Sequence, residues 1–176
     1  SFASVPEIEA LIEHGANINS QAIVTKERPI HFASGGYGQG LKEKFDVFAK
    51  HLEELAKKEK KPLKDYFDVR DNLGRTPLML AAGCGENETV AKLIKRYKVD
   101  ANASDIFGRN ALYHAVHSAI HSDSRDLSLV VLMLVEAGCD LHKKTIQKLK
   151  NPMGYSAKYQ FIPLKSPYEL GMSSPV

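Results

Sequence analysis

The fold is decided by the stretch Asp71-Asn72-Leu73-Gly74-Arg75-Thr76-Pro77-Leu78-Met79-Leu80-Ala81-Ala82, which continues through Val90, Leu93 and Ile94 to Asn102. Thirty-four residues later the pattern restarts as Asp105-Ile106-Phe107-Gly108-Arg109-Asn110-Ala111-Leu112-Tyr113-His114-Ala115. Asp71 matches Asp105, Gly74 matches Gly108, Arg75 matches Arg109 and Leu78 matches Leu112. Thr76 before Pro77 reads as a helix start: the hydroxyl caps, and proline at the first helical position gives up an N–H that would be unpaired anyway. Gly74 and Gly108 suit turns that need positive φ. Asp71 and Asp105 fall where aspartate side chains bond backbone N–H groups, a structural duty rather than paired-carboxylate catalysis. Ala81 and Ala82 are small enough for helices to approach closely, and Val90, Leu93 and Ile94 form one stripe at i, i+3, i+4. A single unit of this kind buries too little apolar area to offset its chain entropy, so the units must stack.

Parts of the unit recur along the chain. Ile8, Leu11 and Ile12 before Gly15 have the spacing of Val131, Leu134 and Val135 before Gly138, each glycine being a helix stop. Arg28-Pro29-Ile30-His31-Phe32-Ala33 and Ser166-Pro167-Tyr168-Glu169-Leu170 repeat the helix start. At these residues the sequence resembles the ankyrin-repeat family, whose signature is a turn, T-P-L-H-x-A and a second helix ending in G-A-x-x-N. Met79 stands in the His place of that signature and Arg28 in the Thr place. The resemblance implies an all-α solenoid of stacked helix-turn-helix units with hairpin-like turns. It implies a single domain over residues 1–176, with units at about 1–19 (partial), 20–68 (with an insertion), 69–102, 103–142 (with an insertion) and 143–176 (partial).

Three insertions break the period. Gly35 to Gly40 reads as a flexible loop. Leu41, Phe45, Phe48, Leu52 and Leu55 then predict an amphipathic helix of about four turns, an extended second helix closed by Lys57–Lys61 and ended by Pro62. A second insertion, 119–126, is expected to lengthen an interhelical loop. A third, 145–162, carries Tyr155, Tyr159 and Phe161 and is expected to pack in part.

Composition narrows the function classes. Apolar residues make up 43% and charged residues 26%, a globular balance, and the net charge of +3 is too small to argue for nucleic acid. The longest apolar run, 129–135, is far short of the roughly 20 residues of a membrane-spanning helix. Two cysteines, Cys84 and Cys139, make no disulfide framework and suit a reducing, cytoplasmic compartment. The chain opens Ser1-Phe2 without a signal-like segment and reads as one module of a longer protein.

Few residues suggest chemistry. His114, His117 and His121 share a helical face, yet no second ligand cluster accompanies them and no metal or cofactor is expected. Cys84 and His117 sit at near-equivalent helix ends without any signature of a cysteine enzyme. Gly35 to Gly40 follows a helix, unlike a phosphate loop.

The family resemblance implies a non-catalytic protein-binding module whose turn tips and inner helix ends line a concave face. The residues expected there are Arg70, Asn72, Leu73, Arg75 and Cys84 from one unit and Ile106, Phe107, Arg109, His117 and Ser118 from the next. Leu73, Ile106 and Phe107 are expected as exposed apolar anchors. Arg75 and Arg109, free of structural duty, predict an acidic protein partner. A monomer is expected. An alternative is that the chain is part of a bacterial effector enzyme, acting in the host cytoplasm.

Overall fold

The computed structural model describes residues 3–35, 40–121 and 127–141. The expected third insertion at 145–162, the unit at 143–176 and the Ser166-Pro167 helix start lie outside the described residues.

The chain opens with α1 (Val5–Glu13), begun where the Glu7 carboxylate accepts the Ser4 N–H at 2.6 Å. Those bonds hold the Glu7 carboxyl below its ordinary value. Helix α2 (Pro29–Gly35) starts at the predicted proline. Helix α3 (Leu41–Glu59) is the predicted amphipathic helix, at 19 residues longer than expected; Phe45, Ala49, Leu52 and Ala56 are its buried face. It stops at Lys60, whose φ of 55° is left-handed. A short helix that the sequence did not suggest, α4 (Lys64–Phe67), buries Tyr66 and Phe67. Helix α5 (Pro77–Cys84) is capped by Thr76, whose hydroxyl accepts the Met79 N–H. Helix α6 (Asn87–Ala91) runs on into a π-helical turn, Lys92–Arg96. Then come α7 (Ala111–His121) and α8 (Ser128–Glu136).

These helices form two layers. In the first, α2 packs on α5 and α5 on α7; in the second, α1 packs on α3, α3 on α6 and α6 on α8. The pairing α2 with α3, α5 with α6 and α7 with α8 joins the layers. Among the described residues there is no strand, and no helix long and apolar enough to cross a membrane. The fold is an all-α solenoid of stacked helix pairs.

Small residues set the spacing of the first layer. Ala81, Ala82 and Ala115 are fully buried. Gly35 ends α2 rather than opening a flexible loop, and a Cβ there would lie 2.5 Å from the Leu80 backbone carbon. This glycine is a contact point between α2 and α5. The loop interpretation of Gly36–Gln39 lies outside the described residues. The expected loop insertion at 119–126 also changes: α7 continues helically through His121, so the first part of that segment lengthens a helix.

In the second layer, α3 and the α6–π segment run side by side. Lys42 pairs with Glu88 at 2.8 Å, Asp46 with Lys92 and Glu53 with Arg96 at 2.8 Å. Beneath them Phe67 stacks on Tyr97 with centroids 3.6 Å apart, and Phe45 leans on both. Tyr97 donates to Glu53 at 2.7 Å. Burial, reinforced by that carboxylate, pushes the phenol far above its ordinary value.

Candidate functional site

Each first helix is preceded by a hairpin, and the two clear hairpins are built identically. The Asp71 N–H donates to the Arg75 carbonyl and the Gly74 N–H to the Asp71 carbonyl; Asp105, Arg109 and Gly108 repeat both bonds. Gly74 and Gly108 take φ of 72° and 78°, as the turn requires. The buried Asp71 carboxylate accepts the N–H groups of Leu73 (2.9 Å) and Arg75 (2.7 Å), and Asp105 accepts those of Phe107 and Arg109, both at 2.9 Å. The sequence expectation for the two aspartates therefore holds in geometry.

Both arginines, by contrast, have a structural duty. Arg75 Nε lies 2.6 Å from Asp71 Oδ2, and its Nη2 reaches Glu27 at 3.3 Å. Arg109 Nε lies 2.7 Å from Asp105 Oδ2, an oxygen that also accepts from His114 Nε2 at 3.1 Å. The Arg109 guanidinium covers the Phe107 ring at 4.3 Å and approaches Tyr113 at 5.8 Å. Burial of Asp105 works to raise its pKa, but the bonds from His114 and Arg109 outweigh it and hold the carboxyl below its ordinary value. The guanidiniums are thus engaged by the hairpins themselves, Arg109 within its own and Arg75 also with Glu27 of the preceding one.

The hairpins also join one another. The Asn72 N–H donates to the Thr25 carbonyl at 2.8 Å, and its side-chain amide to the Val24 carbonyl at 3.2 Å. One unit on, the Ile106 N–H donates to the Leu73 carbonyl at 2.9 Å. Arg70 spans the same boundary, donating to the Gly74 carbonyl at 3.1 Å and to the Ser104 carbonyl. The tips form one hydrogen-bonded ribbon along the edge of the first layer.

Of the expected apolar anchors, Ile106 is exposed, whereas Leu73 and Phe107 are half-buried. Arg70 is exposed and Asn72 half-buried. His117 is exposed and stacked on Tyr113 with centroids 5.8 Å apart. Ser118 is half-buried beside it in α7, and Cys84 is half-buried with its thiol donating to the Gly35 carbonyl. The hairpin of the preceding unit, residues 22–27, went unread in the sequence. It exposes Ile23 by 87% and Val24 by 78%, more than any anchor that was anticipated. The signal was available: counting back from Arg28-Pro29 in the repeat register puts Val24 at the place of Asn72 and Ile106, and Lys26, with φ of 58°, at the place of Gly74 and Gly108.

His31 links the ribbon to the helices. The Arg28 N–H donates to His31 Nδ1 at 3.1 Å, which leaves the proton on Nε2, 3.3 Å from the Arg75 carbonyl of the next hairpin. The ring is wholly buried, and that burial lowers its pKa despite Asp71 and Glu27 nearby. Of the histidines expected on one helix face, His114 bonds Asp105 and His117 stacks on Tyr113, while the His121 side chain lies outside the described residues. Among the described residues no group of three or more His, Cys, Asp or Glu is placed to hold a metal ion.

No curated protein matches the chain. The model of ankyrin repeats in three copies matches residues 48–145, more than half of the sequence. Ankyrin repeats are generally protein-interaction modules and are typically non-catalytic. With two layers of helix pairs, a hairpin before each first helix and this match, the chain belongs to the ankyrin-repeat family.

Proposed function

We propose that this chain is a non-catalytic recognition module that takes one partner polypeptide along its hairpin ribbon and the adjoining inner ends of α5 and α7. The supporting observation is the exposure of Ile23, Val24 and Ile106 on tips whose backbones are tied together. Apolar side chains exposed on a rigid backbone lose little ordering entropy when covered. Phe107, Leu73 and Asn72 line the same ribbon, and Cys84, His117 and Ser118 continue the face along the helices. Arg75 and Arg109 serve it indirectly, by fixing the hairpins that carry the contacts.

The test is affinity capture by the wild-type chain and by Ile106→Asp, with circular dichroism melting of both. Ile106 is 39% exposed and its side chain supports no described bond, so the variant should melt as wild type and lose the captured partner. Undiminished capture of the same partner by the variant would remove the ribbon from consideration.

A further inference from the structure

We infer that the partner segment carries carboxylates beside an apolar stretch, and that Lys26 and Arg70 are the groups that meet those carboxylates. The inference rests on the ribbon being the binding face.

Charge accounting in the three hairpins leads to it. Residues 21–28, 70–76 and 104–110 contain three carboxylates and five cationic side chains. The Asp71 and Asp105 side chains have no exposure; Glu27 keeps 16% and is paired with Arg75. Arg75 and Arg109 are neutralised by these partners. Arg28 meets no carboxylate either, but it is half-buried and turns back from the exposed rim to donate to the neutral Asn19 side chain. Lys26 and Arg70 remain, both exposed, and neither is paired with a carboxylate among the described residues. Arg70 donates only to neutral carbonyls in its described bonds, so its positive charge stays uncompensated. The outward charge of the ribbon is therefore positive: Lys26 shares its hairpin with Ile23 and Val24, and Arg70 bonds the carbonyl of Ser104, two residues before Ile106.

An apolar strip rimmed by two uncompensated cations complements an apolar segment with acidic neighbours. Rim charges of this kind act through steering and selectivity, and salt screens them. The sequence alone suggested an acidic partner through Arg75 and Arg109; the structure moves that role to Lys26 and Arg70.

Selection from a random peptide display library against three immobilised forms tests this: the wild type, Lys26→Glu with Arg70→Glu, and Ile106→Asp. Each form is first checked by circular dichroism melting. Because Arg70 also bonds the Ser104 carbonyl, Lys26→Glu alone serves if the double variant fails to fold; the Lys26 side chain makes no described bond. The wild-type pool should be rich in Leu, Ile or Phe together with Asp or Glu. A peptide from that pool should bind the charge-reversed form roughly tenfold more weakly at low salt, with the gap closing at high salt. A wild-type pool without an excess of acids, or equal affinity for the charge-reversed form, overturns the inference. If Ile106→Asp still abolishes binding in that case, the binding face stands and only the charge assignment falls. If Ile106→Asp binds as wild type, or if nothing is enriched on the wild type, the face itself is wrong.

Discussion

His31 bonds the carbonyl of Arg75 across a repeat boundary, 3.3 Å from ring nitrogen to oxygen, while its other nitrogen accepts the N–H at the start of its own helix. The contact at Nδ1 requires the neutral ring, since protonation would turn the accepting nitrogen into a donor facing a donor, whereas the Nε2–H donation to the carbonyl is possible in either form. Burial already lowers the folded-state pKa below the usual histidine value. The native state therefore binds fewer protons than the unfolded one as pH falls. The stabilisation is fully present above about pH 6.5, the unfolded value, and is lost below it, down to the folded pKa.

The first prediction follows. Urea midpoints should fall between pH 7.5 and pH 5, and His31→Met, which copies Met79 at the equivalent place, should flatten that fall. Equal pH slopes for the two proteins would show that His31 carries none of it.

Asp105 supplies the second. Its carboxylate closes the turn, holds Arg109 and accepts from His114. Asp105→Ala removes an acceptor of charge-assisted bonds, expected to cost roughly 1.5–3 kcal/mol per such bond lost at most, with partial rescue by water. Because the folded pKa is depressed, its contribution is present above the ordinary carboxylate pKa of about 3.9 and is lost as pH falls through the folded value. Thermal melts of wild type and Asp105→Asn should differ at neutral pH and converge in strong acid.

Two glycines should respond in opposite senses to the same substitution. Gly35→Ala puts a Cβ at 2.5 Å from the Leu80 backbone and should destabilise by about 1–3 kcal/mol or more, because backbone must shift. Gly83 lies inside α5, where an added Cβ would meet nothing closer than the His114 carbonyl oxygen at 3.7 Å. There alanine should stabilise by about 0.5–1 kcal/mol. Urea denaturation of both variants checks the pair; a neutral Gly35→Ala would mean that α2 and α5 do not approach as described.

Lys98 follows the second helix of its unit with φ of 53°, at the place that Gly15 and Gly138 take in theirs. A left-handed conformation costs a residue with a Cβ about 1–2 kcal/mol. Lys98→Gly relieves that and adds unfolded-state entropy, so a net gain of roughly 0.5 kcal/mol is expected, read as a rise in melting temperature of about 1–2 °C. A fall would contradict the assignment.

The sequence made the helix starts, the glycine turns and the aspartate turns legible, because each depends on a few adjacent residues. Thr76-Pro77 and Asp71-x-x-Gly74 state their own geometry. The hairpin at 22–27 was hidden because Lys26 takes the turn conformation without glycine and Ile23 stands in the aspartate place. The duty of Arg75 and Arg109 was hidden for another reason. Spacing puts an arginine four residues after each aspartate, twice, but whether the guanidinium folds back or faces solvent depends on the turn that forms between them. The π-helical turn at Lys92–Arg96 has no local signature, and the Phe67–Tyr97 stack beneath it joins residues thirty apart. Of the candidate face, the tips of two units were anticipated, and the most exposed one was not.

The most direct test of the account separates holding the ribbon from using it. Arg109→Ala and Ile106→Asp are compared by melting temperature and by affinity for a peptide selected on the wild type. Arg109→Ala leaves a buried carboxylate with one partner fewer and should lower the melting temperature by roughly 4–8 °C, while Ile106→Asp should melt as wild type and bind at least tenfold more weakly. A wild-type melting temperature for Arg109→Ala together with wild-type affinity for Ile106→Asp would contradict it.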